Sequence, residues 1–292
     1  MEVISNMKNY LSLMRITHYL KNILVFLPIF FSGNIVNVDY LVKALYGFVC
    51  FCFISSIVYI INDINDIESD KKHPVKKDRP LASGKISIKK AIILIVFLAI
   101  IVFLINVFLL NKNLSWILLI LYLIINVLYS IWLKHKPIID VFVLSLGFLI
   151  RVLYGGLLLN IDVSNWMFLT ILSGALFMAI GKRRNELKKN KYESRKVLKF
   201  YSIDFLDKTM YMFLTMSLTF FSLWTTENHS KYLIYSIPLL ILICLKYVFD
   251  IDKDDSFGDP VDVILSDKTL IILSFLLLLF MIGIIYIVPM VI

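Results

Sequence analysis

The chain has 292 residues, of which 60% are hydrophobic and only 17% charged, with 30 basic and 21 acidic side chains giving a net charge of +9. Soluble domains sit near ~45–50% apolar and ~25% charged, so this composition excludes a soluble globular domain, a disordered chain, a collagen and a secreted disulfide scaffold, and indicates a polytopic membrane protein. The three cysteines, Cys50, Cys52 and Cys244, lie in apolar runs. They show neither a disulfide framework nor a zinc spacing and read as small packing side chains.

Apolar runs long enough to cross a bilayer, ~20 residues each, recur nine times, over residues 18–38, 39–62, 90–111, 113–133, 138–159, 164–181, 208–227, 231–249 and 269–291. The expected fold is therefore all-α: a single membrane domain, 1–292, forming a polytopic bundle of about nine transmembrane helices. The first run is the weakest, because Pro28, Ser32 and Gly33 interrupt it. It does not read as a signal peptide, since the apolar stretch begins late, is rich in aromatics and is not followed by a small-residue cleavage site. A long charged loop follows both the second and the sixth run, which hints at a weak internal duplication.

The basic residues sort to alternate connections. The N-terminal segment, loop 62–90, loop 133–137, loop 181–208 and loop 246–268 together hold 26 of the 30. The positive-inside rule then puts the N-terminus and these loops on the cytoplasmic side of a cell membrane. With nine spans the C-terminus falls on the other side. The basic excess follows from topology and anionic lipid, so membrane lipid is the expected partner and nucleic acid is not. A homo-oligomer is compatible with the sequence.

The acids are equally uneven. At the end of the second run Asn62 precedes Asp63, Asp66 and Asp70. These acids stand at i, i+3 and i+7, on one face of a continuing helix. Like charges at that spacing destabilise a helix by a few tenths of a kcal/mol per pair (~0.2–0.5), and the helix C-terminus disfavours anions further. A bound cation would reverse that balance, and hard carboxylate and amide oxygens suit Mg²⁺; the alternative is a solvated acidic cap. Lys76, Lys77, Arg79 and Lys85 follow, with Pro80 and Gly84 shaping the loop. Lys76 and Arg79 are candidates for neutralising a phosphate group.

Asn62 to Asp70 reads NDxxDxxxD, and with this motif the chain resembles the UbiA-type intramembrane prenyltransferase superfamily. More narrowly it is similar to the decaprenyl-phosphate phosphoribosyltransferase branch, through stretches 15–22, 62–84, 133–156, GKRRNEL at 181–187 with Arg195 and Tyr201, and 250–267. The resemblance runs over nearly the whole chain. It implies a nine-helix fold and a reaction in which phosphoribosyl pyrophosphate donates its 5-phosphoribosyl group to a polyprenyl phosphate with release of pyrophosphate, for cell-envelope synthesis. In that reading Mg²⁺ is held by Asp63, Asp66 and Asp70. Asp63, Asp66, Lys76 and Arg79 act on the leaving group, with Asn62 orienting their shell.

An ordinary aromatic prenyltransferase of the superfamily carries a second Asp-rich motif after its sixth helix. Here that place holds Lys182, Arg183, Arg184 and the single acid Glu186. An acidic and a basic half fit a donor with two different anionic ends. Lys182, Arg183, Glu186, Arg195 and Tyr201 are thus candidate substrate contacts, as are Lys21, Asn22 and Lys134. Membrane-surface charge, an i,i+4 pair between Lys182 and Glu186, snorkelling of Lys21 and an interfacial belt position for Tyr201 are the alternatives. Arg151 is the one base inside a span, a functional position by default; Asp140 shares its run but lies ~16 Å away along a helix. The acidic stretch 250–255 fails the EF-hand pattern, with Asp255 where Gly belongs and Val261 where Glu belongs. Two other readings stand beside the phosphoribosyl transfer: a prenyltransferase using a prenyl diphosphate and a small or aromatic acceptor, and a transporter. Transporter charges gather near the bilayer midplane, whereas these lie toward one face.

Overall fold

The computed structural model describes residues 2–72, 76–110, 114–189, 196–227, 231–253 and 260–288. Arg195 and Asp255 lie outside the described residues. Helices make up the structure, with no strand among the described residues. In chain order they are α1 (Glu2–Met14), α2 (Leu27–Phe31), α3 (Val38–Asn65), α4 (Ile67–Lys72), α5 (Ile88–Leu104), α6 (Trp116–Ile131), α7 (Ile139–Leu159), α8 (Asn165–Lys188), α9 (Ile203–Glu227), α10 (Ile237–Ile251), α11 (Pro260–Ser266) and α12 (Lys268–Ile282).

Six helical segments are long and apolar enough to cross a bilayer: Val38–Asn65, Ile88–Leu109, Ile139–Leu159, Asn165–Lys188, Leu233–Ile251 and Lys268–Ile287. A seventh arises if Met7–Met14 and Ile16–Phe31, bent by 45° at Arg15, count as one. The remaining two of the nine expected runs fall on α6 and α9 among the described residues. α6 has 16 residues, ~24 Å of helix against ~30 Å of hydrocarbon. α9 is 25 residues long but is not among the sufficiently apolar segments. It opens with Asp204, Asp207 and Lys208 and carries serines and threonines along its length.

The chain forms two compact units: residues 1–134 with 150–162, and residues 135–149 with 163–292. α7 contributes its first half to the second unit and its second half to the first. In the first unit α3 is the central helix, packed against α1, α5, α6 and the 3₁₀ segment Ile16–Phe26. Phe51, Ile57, Ile60, Leu98, Leu119 and Tyr154 are buried in its core. Asn37 caps α3, accepting from the N–H groups of Asp39 and Tyr40. Gly155 allows α7 to meet the chain closely: a Cβ there would overlap the carbonyl oxygen of Val25.

In the second unit α8 and α9 form an antiparallel pair. Phe177, Leu198, Leu206, Met210, Tyr247 and Ile251 fill the core around them. Ser164 caps α8 by accepting from Met167 N–H, and Asp267 caps α12 by accepting from Thr269 and Leu270.

Candidate active site

The first charged cluster is built on the broken C-terminus of α3. The helix does not continue through the acidic motif. It stops at Asn65, Asp66 takes φ −100° and ψ 6°, and α4 starts at Ile67. The three carboxylates expected on one helix face are therefore divided. Asp63 and Asp70, each 3% exposed, converge on Arg79: its Nη1 donates to Asp63 Oδ1 at 3.2 Å and to Asp70 Oδ2 at 2.7 Å. Asp66 instead accepts from Lys134 Nζ at 3.0 Å.

Arg79 is held by its loop. Pro80 accepts from Ile86 N–H, Ser83 N–H bonds back to Arg79 O, and Gly84 turns the chain at φ 75°. Leu81, Ala82 and Ile86 are buried beneath. Charge assistance makes these Arg–carboxylate bonds stronger than neutral ones.

Sequence reasoning missed Arg15 as part of this cluster. Its Nη2 donates to Asp63 Oδ1 at 2.5 Å, and its guanidinium lies 4.7 Å from the centroid of the Tyr59 ring. Arg15 has φ 52° and ψ 52°, a left-handed backbone that is rare for a non-glycine residue. Such strain gathers where surrounding contacts fix it. Here it bends the N-terminal helix and turns the side chain to Asp63. The signal in the sequence was its place in the stretch 15–22.

Asn62, at the same helix end, has a buried Oδ1 with no hydrogen-bond partner among the described residues. Lys76 and Lys21 are half-buried. Asn22 is fully buried. Its Oδ1 accepts from Arg151 Nε at 2.8 Å, and its Nδ2 donates to Cys52 Sγ. Arg151 also donates to Tyr122 Oη at 3.0 Å and lies 5.0 Å from the ring centroids of Phe51 and Tyr122.

The second cluster belongs to the other unit. Arg183 is fully buried, with Nε donating to Asp140 Oδ2 at 2.7 Å and Nη1 to Glu186 Oε2 at 2.9 Å. Tyr201 completes it. Its hydroxyl donates to Asp140 Oδ1 at 2.5 Å and accepts from the N–H of Ile138 at 2.6 Å. Burial, and the bond to Asp140, raise the Tyr201 phenol above its ordinary value, so it is a donor at neutral pH. Glu186 thus pairs with Arg183, and Tyr201 lies within the protein instead of in an aromatic belt. Lys182 is half-buried on the same helix.

The next residue, Arg184, bonds Asp207 and, at 2.8 Å, Asp252 Oδ1; Lys188, one turn further, donates to the same Asp252 oxygen at 2.5 Å. Those two donors hold the Asp252 carboxyl below the usual carboxylate range. Asn185 Nδ2 donates to Ile251 O at 2.6 Å. Among the described residues, no group of three His, Cys, Asp or Glu side chains is arranged to hold a metal ion.

A helical, multi-pass membrane protein with carboxylates gathered on arginines at the mouth of one long helix, and bases gathered at the mouth of another, is the class that fold and clusters define. The sequence matches the UbiA prenyltransferase family over residues 24–260, so the chain belongs to that family and is a transferase. It is 33% identical over 275 residues to the decaprenyl-phosphate phosphoribosyltransferase of Mycolicibacterium smegmatis, covering 87% of this chain and 85% of that one. It is 32% identical over 291 residues to the Corynebacterium glutamicum protein of the same name, covering 95% and 86%. The fold matches that of a UbiA homologue from Archaeoglobus fulgidus, solved bound to GPP and Mg²⁺, with a TM-score of 0.71 at 19% identity, over 95% of this chain and 99% of that one.

Proposed function

We propose that the protein transfers the 5-phosphoribosyl group of phosphoribosyl pyrophosphate to a polyprenyl phosphate. The observation that carries the reading is the contrast between the two clusters, carboxylates at 63–70 against Lys182, Arg183 and Arg184 at 182–184. It is supported by likeness over most of the chain to two phosphoribosyltransferases of a lipid phosphate. A prenyl diphosphate donor held between two Asp-rich motifs, the competing reading, lacks its second motif in this sequence.

The reaction breaks the bond from the anomeric carbon to the pyrophosphate oxygen, and the electron pair leaves on pyrophosphate. A phosphate oxygen of the lipid forms the new bond to that carbon. The lipid phosphate is anionic at neutral pH, so no strong general base is needed. The protein's task is to orient the donor and to stabilise the departing charge. Arg79 and Lys76 take that role, with Arg15 holding Asp63 in place. In the second cluster Lys182 is the candidate contact to a metal-free phosphate. Arg183 acts there through Glu186 and Asp140, as a positioning residue, and Tyr201 fixes Asp140. Arg195 remains a proposed substrate contact.

The donor set at 62–70 fits Mg²⁺. Asp63 and Asp70 already converge on a cationic atom of Arg79, and Asn62 at the same helix end carries a hard neutral oxygen, Oδ1, with no partner among the described residues. Asp63, Asp70 and Asn62 would hold the ion. It would supply charge neutralisation and orientation for the pyrophosphate. A cation there shares Asp63 and Asp70 with the arginines.

The test is turnover by purified protein given labelled phosphoribosyl pyrophosphate, Mg²⁺ and polyprenyl phosphates of several lengths. A lipid-soluble phosphoribosyl product is expected, falling by about 10²-fold or more in Asp63→Asn, the scale of losing a charge-stabilising group. Product formed only from a prenyl diphosphate and a small acceptor would overturn the reading in favour of prenyl transfer.

A further inference from the structure

In the first unit α5 does not end as an α-helix. Residues Ile105–Leu109 widen into a π-helical turn, closed by a bond from Leu110 N–H to Ile105 O at 3.0 Å. Single π-turns in helices are frequent at functional positions. Asn106 and Val107 of this turn line a cavity of about 550 Å³, together with Ile54, Phe103, Trp116 and Leu119. Asn106 brings an amide to a wall that is otherwise apolar and aromatic. Its side chain is more than nine-tenths buried, and its Nδ2 has no hydrogen-bond partner among the described residues. A buried amide donor without an acceptor is costly. The χ2 torsion of asparagine is broad, so a modest rotation presents that N–H to the cavity.

The position of the cavity narrows what fills it. Asn106 follows Ile88, the first residue of α5, by about 27 Å of helix at 1.5 Å per residue. That is close to the ~30 Å thickness of the hydrocarbon layer. The Asn106 end of the cavity therefore lies near the bilayer interface opposite the loop that carries Arg79, and the cavity runs from there past Ala99 and Ile54 toward the middle of the hydrocarbon layer. Its occupant must offer hydrocarbon along most of its length and one hydrogen-bond acceptor at interface depth. A polyprenyl tail has no acceptor along its chain. Water would satisfy the amide and leave the apolar wall uncovered.

We infer that this cavity is a binding site for a membrane glycerophospholipid, with an ester carbonyl accepting from Asn106 and its acyl chain lying along Phe103, Trp116 and Leu119. The site shares no residue with the charged clusters and does not depend on which transfer they perform.

Trp116 makes the site readable. Brominated acyl chains quench a tryptophan they touch, and Trp132, 56% exposed, reports ordinary lipid contact. The full chain is placed in nanodiscs with increasing fractions of brominated phosphatidylcholine. The Trp116 and Trp132 signals are obtained by difference from Trp116→Phe and Trp132→Phe. Half-quenching of Trp116 is expected at a several-fold lower lipid fraction than that of Trp132. Asn106→Leu should close this gap, and so should an ether-linked brominated lipid, which lacks the carbonyl. The ether lipid is applied to the unaltered protein, so the test stands even where Asn106→Leu does not fold. Equal quenching of the two tryptophans, or a Trp116 preference that survives both the substitution and the ether lipid, would overturn the proposal.

Discussion

Arg183 is a charged side chain with no exposure; it is paired with the carboxylates of Asp140 and Glu186, and Tyr201 bonds to Asp140. Removing one member of a buried ion pair leaves the other unpaired and costs about 3–5 kcal/mol, whereas replacing both with neutral groups is often tolerated. Arg183→Met should therefore destabilise the protein by about 3–5 kcal/mol, and Arg183→Met with Asp140→Asn by clearly less. Unfolding of the detergent-solubilised variants measures both. A loss in the double variant equal to the sum of the Arg183→Met and Asp140→Asn losses would mean that the two are not energetically coupled. The cluster at 181–187 was legible in the sequence as a set of bases, but its partner Asp140 was not. The two stand 43 residues apart, and no periodicity joins a helix start to a distant helix end. Arg15 and Asp63 escaped for the same reason, whereas Asp63, Asp70 and Arg79 were found because a short loop keeps them within one motif. The division of Asp66 from its neighbours depends on a backbone break that the acid spacing did not reveal.

Asp267 offers a second test at this scale. Lys246 donates to its Oδ2 at 2.6 Å, and the N–H of Leu270 donates to Oδ1. These bonds lower its carboxyl to about 2, below the ~3.9 of an unfolded aspartate. A depressed folded value contributes stability above the unfolded value, and the contribution is lost as pH falls through the folded one. Asp267→Asn keeps a good helix cap and removes only the charge. The Tm difference between the protein and this variant should be constant above about pH 4 and shrink between about 4 and 2. A pH-independent difference would show that the ion pair contributes nothing.

At the scale of elements, two backbone sites limit how the helices meet. A side chain at Gly155 would strike the Val25 carbonyl, which is backbone and cannot rotate away. Gly155→Ala should therefore be strongly destabilising, although alanine is the better helix former by about 1 kcal/mol. A gain in Tm would mean that the segment 16–26 shifts freely. Ile138 is the opposite case. It has φ 69°, a real outlier for a β-branched residue, and its N–H is fixed on Tyr201. Asparagine tolerates that conformation, and the side chain of Ile138 is 61% exposed. Ile138→Asn should raise Tm, provided the Tyr201 bond is what imposes the backbone. The sequence showed where helices lie, since apolar runs persist for a full span. It did not show the break at Arg15, the π-turn at 105–109 or the short reach of α6, because hydropathy does not register backbone geometry.

At the scale of the whole molecule, the question is which side of the membrane the charged loops face. Transfer of a basic loop across a bilayer is disfavoured, and the bias of Lys and Arg among short connections sets orientation. Here the bias is steep, with 26 of 30 bases in alternate segments. Loop 76–87 should then lie in the cytoplasm, where a phosphorylated sugar donor is made, and the connection after α7 should lie outside. Lys85 and Asp162 are exposed positions in these two connections. The native cysteines suit the experiment, since Cys50 and Cys52 are buried and Cys244 is only partly accessible within a span. Lys85→Cys should react with a membrane-impermeant maleimide in inside-out vesicles and stay unlabelled in right-side-out ones. Asp162→Cys should show the reverse. Labelling of both from the same side would break the alternation on which the orientation rests. Labelling in the reversed order would put the carboxylates of Asp63 and Asp70 on the outer face, away from any cytoplasmic donor, and the proposed reaction would then need a different source of its sugar phosphate.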